Sequence, residues 1–137
     1  SPRRNVVGWD GSRLAMLTAV LEARCGVPRS GRDIFLNVAG GLKISETAAD
    51  LAVAAALISS VSGRPAPPRS VFFGEVALSA ELRQVAQADA RLKEAAKLGF
   101  DIAVMPKPRK KLGAPSGLSI AQPSTLAELI EIMGGVT

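Results

Sequence analysis

The segment "KISETAADLAVAAALIS", Lys43 to Ser59, constrains the fold more than any other stretch of the chain. From Thr47 to about Val61 the residues are apolar nearly all round, with polar groups gathered at the mouth: Ser45, Glu46, Thr47 and Asp50. A helix with one apolar stripe lies on a surface, whereas a helix apolar on every side needs cover on every side. The pattern predicts a buried central helix. Its apolar run "LAVAAALI" is far too short to span a bilayer. At the mouth, Thr47 and Asp50 have the hydroxyl-x-x-acid spacing of a capping box, in which Thr47 Oγ accepts from the N–H of Asp50 and the carboxylate reaches back to the cap. Glu46 and Asp50 also complement the positive end of the helix dipole.

The flanking segments supply the cover. "GSRLAMLTAVLEARCG" reads as a helix capped by Ser12, with Leu14, Leu17 and Leu21 on one face and Gly26 just past its end. "DIFLNVA" alternates, Ile34, Leu36 and Val38 facing one way and Phe35 and Asn37 the other, as a strand does. Gly40 and Gly41 interrupt it. After the Pro-rich connection "SGRPAPPRS", "VFFGEVAL" reads as a second strand, "QADARLKEAAKLG" as a crossover helix and "DIAVMP" as a third strand stopped by Pro106. "KPRKKLGAPSG" is an exposed loop, "LSIA" a short last strand and "TLAELIEIM" a terminal helix. Strand, helix, strand, helix, strand predicts βαβ units with right-handed crossovers, hence an α/β (α+β two-layer) fold with a mixed sheet. No internal repeat or long linker divides the chain, so residues 1–137 read as a single domain.

The residue inventory narrows the chemistry. Hydrophobic residues make up 47% of the chain and aromatic ones 4%, so the core is aliphatic and Ala-rich. There is one cysteine, Cys25, and no histidine. That excludes an internal disulfide framework, a cysteine zinc site and a Ser-His-Asp hydrolase, and it sets aside a metalloenzyme. Cys25 reads as a small residue at a helix end. The formal net charge of +5 favours anionic partners. "SPRRNVVGWDG" lacks the apolar core of a signal peptide, and the chain reads as the C-terminal piece of a larger cytoplasmic protein.

Three stretches in order, "SPRRNVVGWDGSRLAMLTAVLE", "NVAGGLKISETAADLAVAAALIS" and "GEVALSAELRQVAQADARLKEAAKLGF", resemble the C-terminal domain of the bacterial RadA (Sms) recombination family, over nearly the whole chain. The resemblance implies an intact protein with a zinc finger and a RecA-like ATPase ahead of this domain. It would work as a hexameric, ATP-driven motor in DNA repair and recombination that promotes branch migration. ATP, magnesium and zinc would bind in those preceding parts, since this chain holds no Walker A motif and no cysteine framework. The domain itself is similar to the Lon proteolytic domain, whose Ser–Lys dyad uses a lysine to activate a serine. On that likeness the Gly-Pro-Ser-Ala-Gly turn of Lon falls on "ETAAD", with Ala48 at the serine position, and the lysine position falls on Asp89. Neither residue can play its part. The expected function is a Lon-like domain without protease activity that assembles rings and contacts DNA. Ala77 and Ala80 stand where the family commonly shows glycine.

Other residues carry candidate chemistry. Ser45, Ser59 and Ser79 are alternative nucleophiles, with Lys43 or Lys93 as base, but no spacing forces them together; a peptidase with a relocated dyad is the alternative they represent. Glu75 and Glu81 form a pair of carboxylates in a strand-and-loop context that suits anchoring better than acid–base work. Lys107, Arg109, Lys110 and Lys111 crowd one loop, and Arg3 and Arg4 open the chain; these six are the DNA-binding candidates. No aromatic residues interleave with them and no recognition-helix motif is present, so contacts would be to the DNA backbone. A module that only assembles, without DNA contact, is the remaining alternative.

Overall fold

The computed structural model describes residues 3–27, 32–108 and 110–135. It is a mixed α/β structure of four helices and short strands gathered in three small sheets. The first unit is β1 (Arg4–Val7), α1 (Gly11–Cys25) and β2 (Ile34–Asn37). β1 and β2 pair in parallel, Arg4 opposite Ile34 and Val7 opposite Asn37. β1 was not expected: "RNVV" is four residues long, mostly exposed, and carries no alternation that marks it as a strand. β2 alternates as expected, with Ile34 and Leu36 turned inward and Phe35 and Asn37 outward.

α1 starts differently from the expectation. Its cap is Asp10, whose carboxylate accepts from the Ser12 N–H at 2.9 Å and from the Ser12 hydroxyl at 2.7 Å. A carboxylate outcompetes a hydroxyl for the orphan N–H groups, so Ser12 becomes a donor inside the first turn. Gly26 ends the helix at φ 68, in the left-handed conformation that glycine adopts without penalty.

A 3-10 turn (Thr47–Ala49) leads into α2 (Asp50–Ser62). Leu51, Ala54, Ala55 and Ile58 of α2 are buried against Leu14, Leu17 and Leu21 of α1 and Leu126, Leu129 and Met133 near the C-terminus, in one continuous core. α2 is not covered on every side as its composition suggests: Ala52, Ala56 and Ser60, one turn apart along one stripe, are exposed.

"VFFGEVAL" is two strands rather than one. β3 (Ser70–Phe72) joins a parallel sheet in the order β3, β6 (Ile102–Val104), β7 (Ser119–Ala121), whereas β4 (Glu75–Val76) pairs antiparallel with β5 (Leu82–Arg83) in a hairpin. The break falls at Gly74, where a Cβ atom would lie 2.7 Å from Pro106 Cδ. Only glycine fits so close an approach. α3 (Ala88–Lys97) crosses from β5 to β6 and packs Leu92 and Ala95 into a second cluster with Phe73, Ala103, Met105 and Leu118. The crossover from β6 to the parallel β7 is made by the basic loop rather than by a helix. α4 (Leu126–Ile132) closes the chain against α1 and α2. No described helix is long and apolar enough to cross a membrane.

Candidate functional site

The mouth of α2 is built by three neighbours. The Gly74 N–H donates to the Ala48 carbonyl at 2.9 Å, and the Leu51 N–H donates to the Gly74 carbonyl at 3.1 Å, which ties the 3-10 turn and the first residues of α2 to the β3–β4 junction. Ala48 is buried beneath this lacing. Asp50, two residues on, is wholly buried. Arg13 of α1 grips it with two parallel bonds, Nε to Oδ1 at 2.8 Å and Nη2 to Oδ2, and the Val76 N–H donates to Oδ2 at 3.0 Å. The forked guanidinium suits such two-point recognition. The bond to Asp50 holds the Arg13 guanidinium above its ordinary pKa, against the desolvation that would lower it.

The capping box expected at Thr47–Asp50 therefore does not form. Neither the 3-10 turn nor α2 has a side-chain cap, and the Asp50 carboxylate points into the protein at Arg13 and Val76. Buried carboxylates seek charge and N–H donors, and Arg13 offers more than the cap does.

Asp89 sits exposed in the first turn of α3, 3.2 Å from Lys93 one turn later. The two are a helix-surface pair. Lys93, a candidate base, is thereby turned to a carboxylate. Ser59 donates to the Arg64 carbonyl, Ser79 accepts from the Glu81 N–H at 3.4 Å, and Ser45 and Lys43 are exposed. Among the described residues no hydrogen bond joins a lysine amine to a serine hydroxyl. α3 reaches the helix mouth through Arg91, which donates to Glu46 Oε2 at 3.1 Å and lies 5.8 Å from the centre of the Phe73 ring. Sequence reasoning missed both Arg13 and Arg91. Neither stands near its partner along the chain, and no local spacing marks them.

Glu75 stands opposite Arg83 across the hairpin, and Glu81 bridges to Thr125. Ala80, where glycine was expected, keeps the left-handed backbone at φ 71, and Ala77 does not need it. The turn holds through the Ala80 N–H to the Ala77 carbonyl at 2.9 Å and the Leu126 N–H to the Ala80 carbonyl at 2.9 Å.

The basic candidates fall into two groups on different sheets. Lys107, Lys110 and Lys111 are exposed in the β6–β7 crossover, and Arg109 lies outside the described residues. The loop leaves the core at Pro106, and Gln84 Nε2 donates to the Lys107 carbonyl at 2.8 Å, so its first turn is held. Arg3 and Arg4 are exposed at the start of β1. The Arg3 N–H donates to Asp33 Oδ1 at 2.7 Å, and Arg4 Nη1 donates to the Arg32 carbonyl at 2.6 Å, so these residues also pin β1 to β2. Cys25 closes α1, half-buried, and burial pushes its thiol pKa up. Among the described residues no group of three or more acidic or cysteine side chains is placed to hold a metal ion.

The family model for subunit ChlI of Mg-chelatase matches residues 12–109, well over half of the chain. Proteins named DNA repair protein RadA are 52% identical in Brucella abortus, 45% in Pseudomonas aeruginosa and 42% in Escherichia coli, over 95%, 97% and 96% of this chain. The chain spans 28%, 29% and 29% of those relatives' own lengths. With α1 from Ser12 onward, the helix mouth, the β4–β5 hairpin and α3 inside the matched range, the chain belongs to the family described as subunit ChlI of Mg-chelatase, and proteins named DNA repair protein RadA are its homologues.

Proposed function

We propose that residues 1–137 form one Lon-like domain without protease chemistry, working within a RadA-type DNA repair and recombination ATPase. Its tasks there are to assemble the hexameric ring and to hold DNA through non-specific backbone contacts during branch migration in the cytoplasm. ATP hydrolysis, with its magnesium, and zinc binding belong to other segments of the intact protein. The observation that carries the loss of protease chemistry is at the helix mouth: on the likeness to Lon the serine position holds the buried methyl group of Ala48, and the carboxylate two residues on, Asp50, is taken up by Arg13 and Val76. The relatives named DNA repair protein RadA support the repair setting.

The exposed lysines of the β6–β7 loop, beginning from an anchored turn, suit phosphate contact. Backbone binding of this kind is strongly salt-dependent. Replacing Lys107, Lys110 and Lys111 with glutamine in the intact protein is expected to weaken binding to all DNA sequences alike. The salt slope is expected to flatten by about 0.9 for each phosphate that is no longer neutralised. Unchanged affinity and slope would leave an assembly module that does not touch DNA through this loop. Incubation with unfolded casein is expected to give no cleavage; cleavage abolished by a serine substitution would restore the peptidase.

A further inference from the structure

The stripe of α2 left uncovered forms one wall of a groove of about 470 Å³, lined by Leu21 of α1, Phe35 of β2 and Ala56, Leu57 and Val61 of α2. Phe35 is 66% exposed at its edge. Parallel strands are normally buried on both faces, yet β1 and β2 leave Val7 and Phe35 open to water. At the other end of α2 the molecule presents the converse shape. The β4–β5 hairpin carries Leu78 at its tip, 72% exposed. The tip is fixed in place: the Ala77 N–H donates to the Glu81 carbonyl, the Leu126 N–H to the Ala80 carbonyl and the Leu82 N–H to the Ser124 carbonyl, each at 2.9 Å, while Val76 is held by Asp50. A large apolar side chain on a rigid tip loses little entropy when it docks.

We infer that the Leu78 hairpin of one copy of this chain docks in the α1–α2–β2 groove of the next copy, a head-to-tail contact that repeats around an assembly. This deepens the proposed ring assembly and rests on it. Two observations select a second copy as the occupant. The groove lies along the second half of α2, whereas the hairpin is bonded to its first residue, about 9 to 17 Å away along the helix axis. A molecule carrying a knob and a socket at separate places makes a heterologous contact, which closes into a ring or runs on as a filament. Charge also matches. Glu81 flanks the tip and Glu128 stands in the first turn of the adjoining α4, while Arg3, Arg4 and Arg32 gather at the groove's end, brought together by the Arg4 bond to the Arg32 carbonyl. Asp33 also lines the groove, accepting from the Arg3 N–H, and Arg83 stands opposite Glu75 in the hairpin, so arginines outnumber carboxylates at the groove and carboxylates outnumber arginines at the tip. Complementary charge of this kind steers and orients association.

The test is cross-linking in the intact protein, with Cys25→Ser as background and each link mapped by mass spectrometry to the introduced cysteines so that links through cysteines of other segments are set apart, after light scattering has recorded its oligomeric state. Leu78→Cys and Ala56→Cys, made separately and then mixed, are expected to link to each other and not to themselves; the two changes in one chain are expected to give a ladder. Leu78→Asp is expected to raise the concentration needed for assembly by about tenfold or more, with an unchanged melting temperature, while Leu78→Met is expected to assemble normally. Rings that form without a Leu78–Ala56 link, or a Leu78→Cys variant that links to itself, would overturn the contact while leaving ring assembly in place. Monomers at every concentration would overturn both.

Discussion

The same four-residue pattern occurs twice in this chain, and the structure uses it in opposite ways. Thr47-Ala-Ala-Asp50 and Thr125-Leu-Ala-Glu128 each put a hydroxyl three residues before an acid at the start of a helix. At α4 the pattern caps. Thr125 Oγ1 accepts from the Glu128 N–H at 3.2 Å, and the Glu128 carboxylate turns back to the Ser124 N–H at 2.8 Å and its hydroxyl at 2.9 Å. The box closes one residue early, on Ser124 rather than on the cap residue. At α2 the acid turns inward to Arg13 and the helix begins without a side-chain cap. Solvent decides between the two outcomes. Glu128 is exposed, so local N–H groups are its best partners; Asp50 is fully buried, so it needs a full countercharge and a backbone donor. A capping motif in a sequence therefore states what the local backbone offers, and burial settles whether the offer is taken.

The largest effect separating the two sites is expected at Asp50. Asp50→Ala leaves the Val76 N–H without an acceptor and Arg13 without its partner, at a cost of about 3 kcal/mol in urea unfolding; Arg13 is a quarter exposed and can turn partly to water, which keeps the loss at the lower end for a broken buried pair. A loss below that of an ordinary cap would mean that Asp50 is a cap after all. Removing both charges together, Arg13→Met with Asp50→Leu, is expected to cost less than Asp50→Ala alone, about 2 kcal/mol, because no charge is left stranded. An additive loss from the two changes would break the account of a closed pair. At the other site Thr125→Ala is expected to cost about 1 kcal/mol by thermal unfolding.

The smallest effect is one of pH. The Ser124 backbone N–H, and then its hydroxyl, hold the Glu128 carboxyl below its ordinary value of 4.5. A carboxylate whose pKa is lower in the folded state contributes stability that is complete above the ordinary value and is lost as pH falls through it toward the folded one. Acid unfolding curves of Glu128→Gln are expected to lose part of the slope below pH 4.5 that the parent shows. Asp10, lowered by the Ser12 hydroxyl and then the Ser12 N–H, contributes in the same direction and remains in both proteins.

Much of the fold was legible along the chain because it rests on periodicity. The apolar spacing of Leu14, Leu17 and Leu21, the alternation from Ile34 to Asn37 and the glycine at position 26 each report a local requirement that the structure keeps. β1 escaped notice because its four residues form a strand only through β2, some thirty positions away in the register Arg4 to Ile34. The hairpin was hidden inside an apparently continuous apolar run, and only the approach of Pro106 to Gly74 divides it. At the helix mouth Ala48 and Asp50 could be singled out by position, but Arg13 lies 37 residues upstream and Arg91 lies 45 residues beyond Glu46, so no spacing rule connects them.

Gly74 has one further consequence. It is bonded on both sides to the start of α2, and its missing Cβ is what lets Pro106, the root of the basic loop, lie against it. The helix mouth and the basic loop thus meet at a single point with no room for an atom between them. Substitutions in the two places share that point, so their effects on shape will not simply sum. A change made to probe one region will be felt in the other, and the two need to be varied together before either is given its separate share of the function.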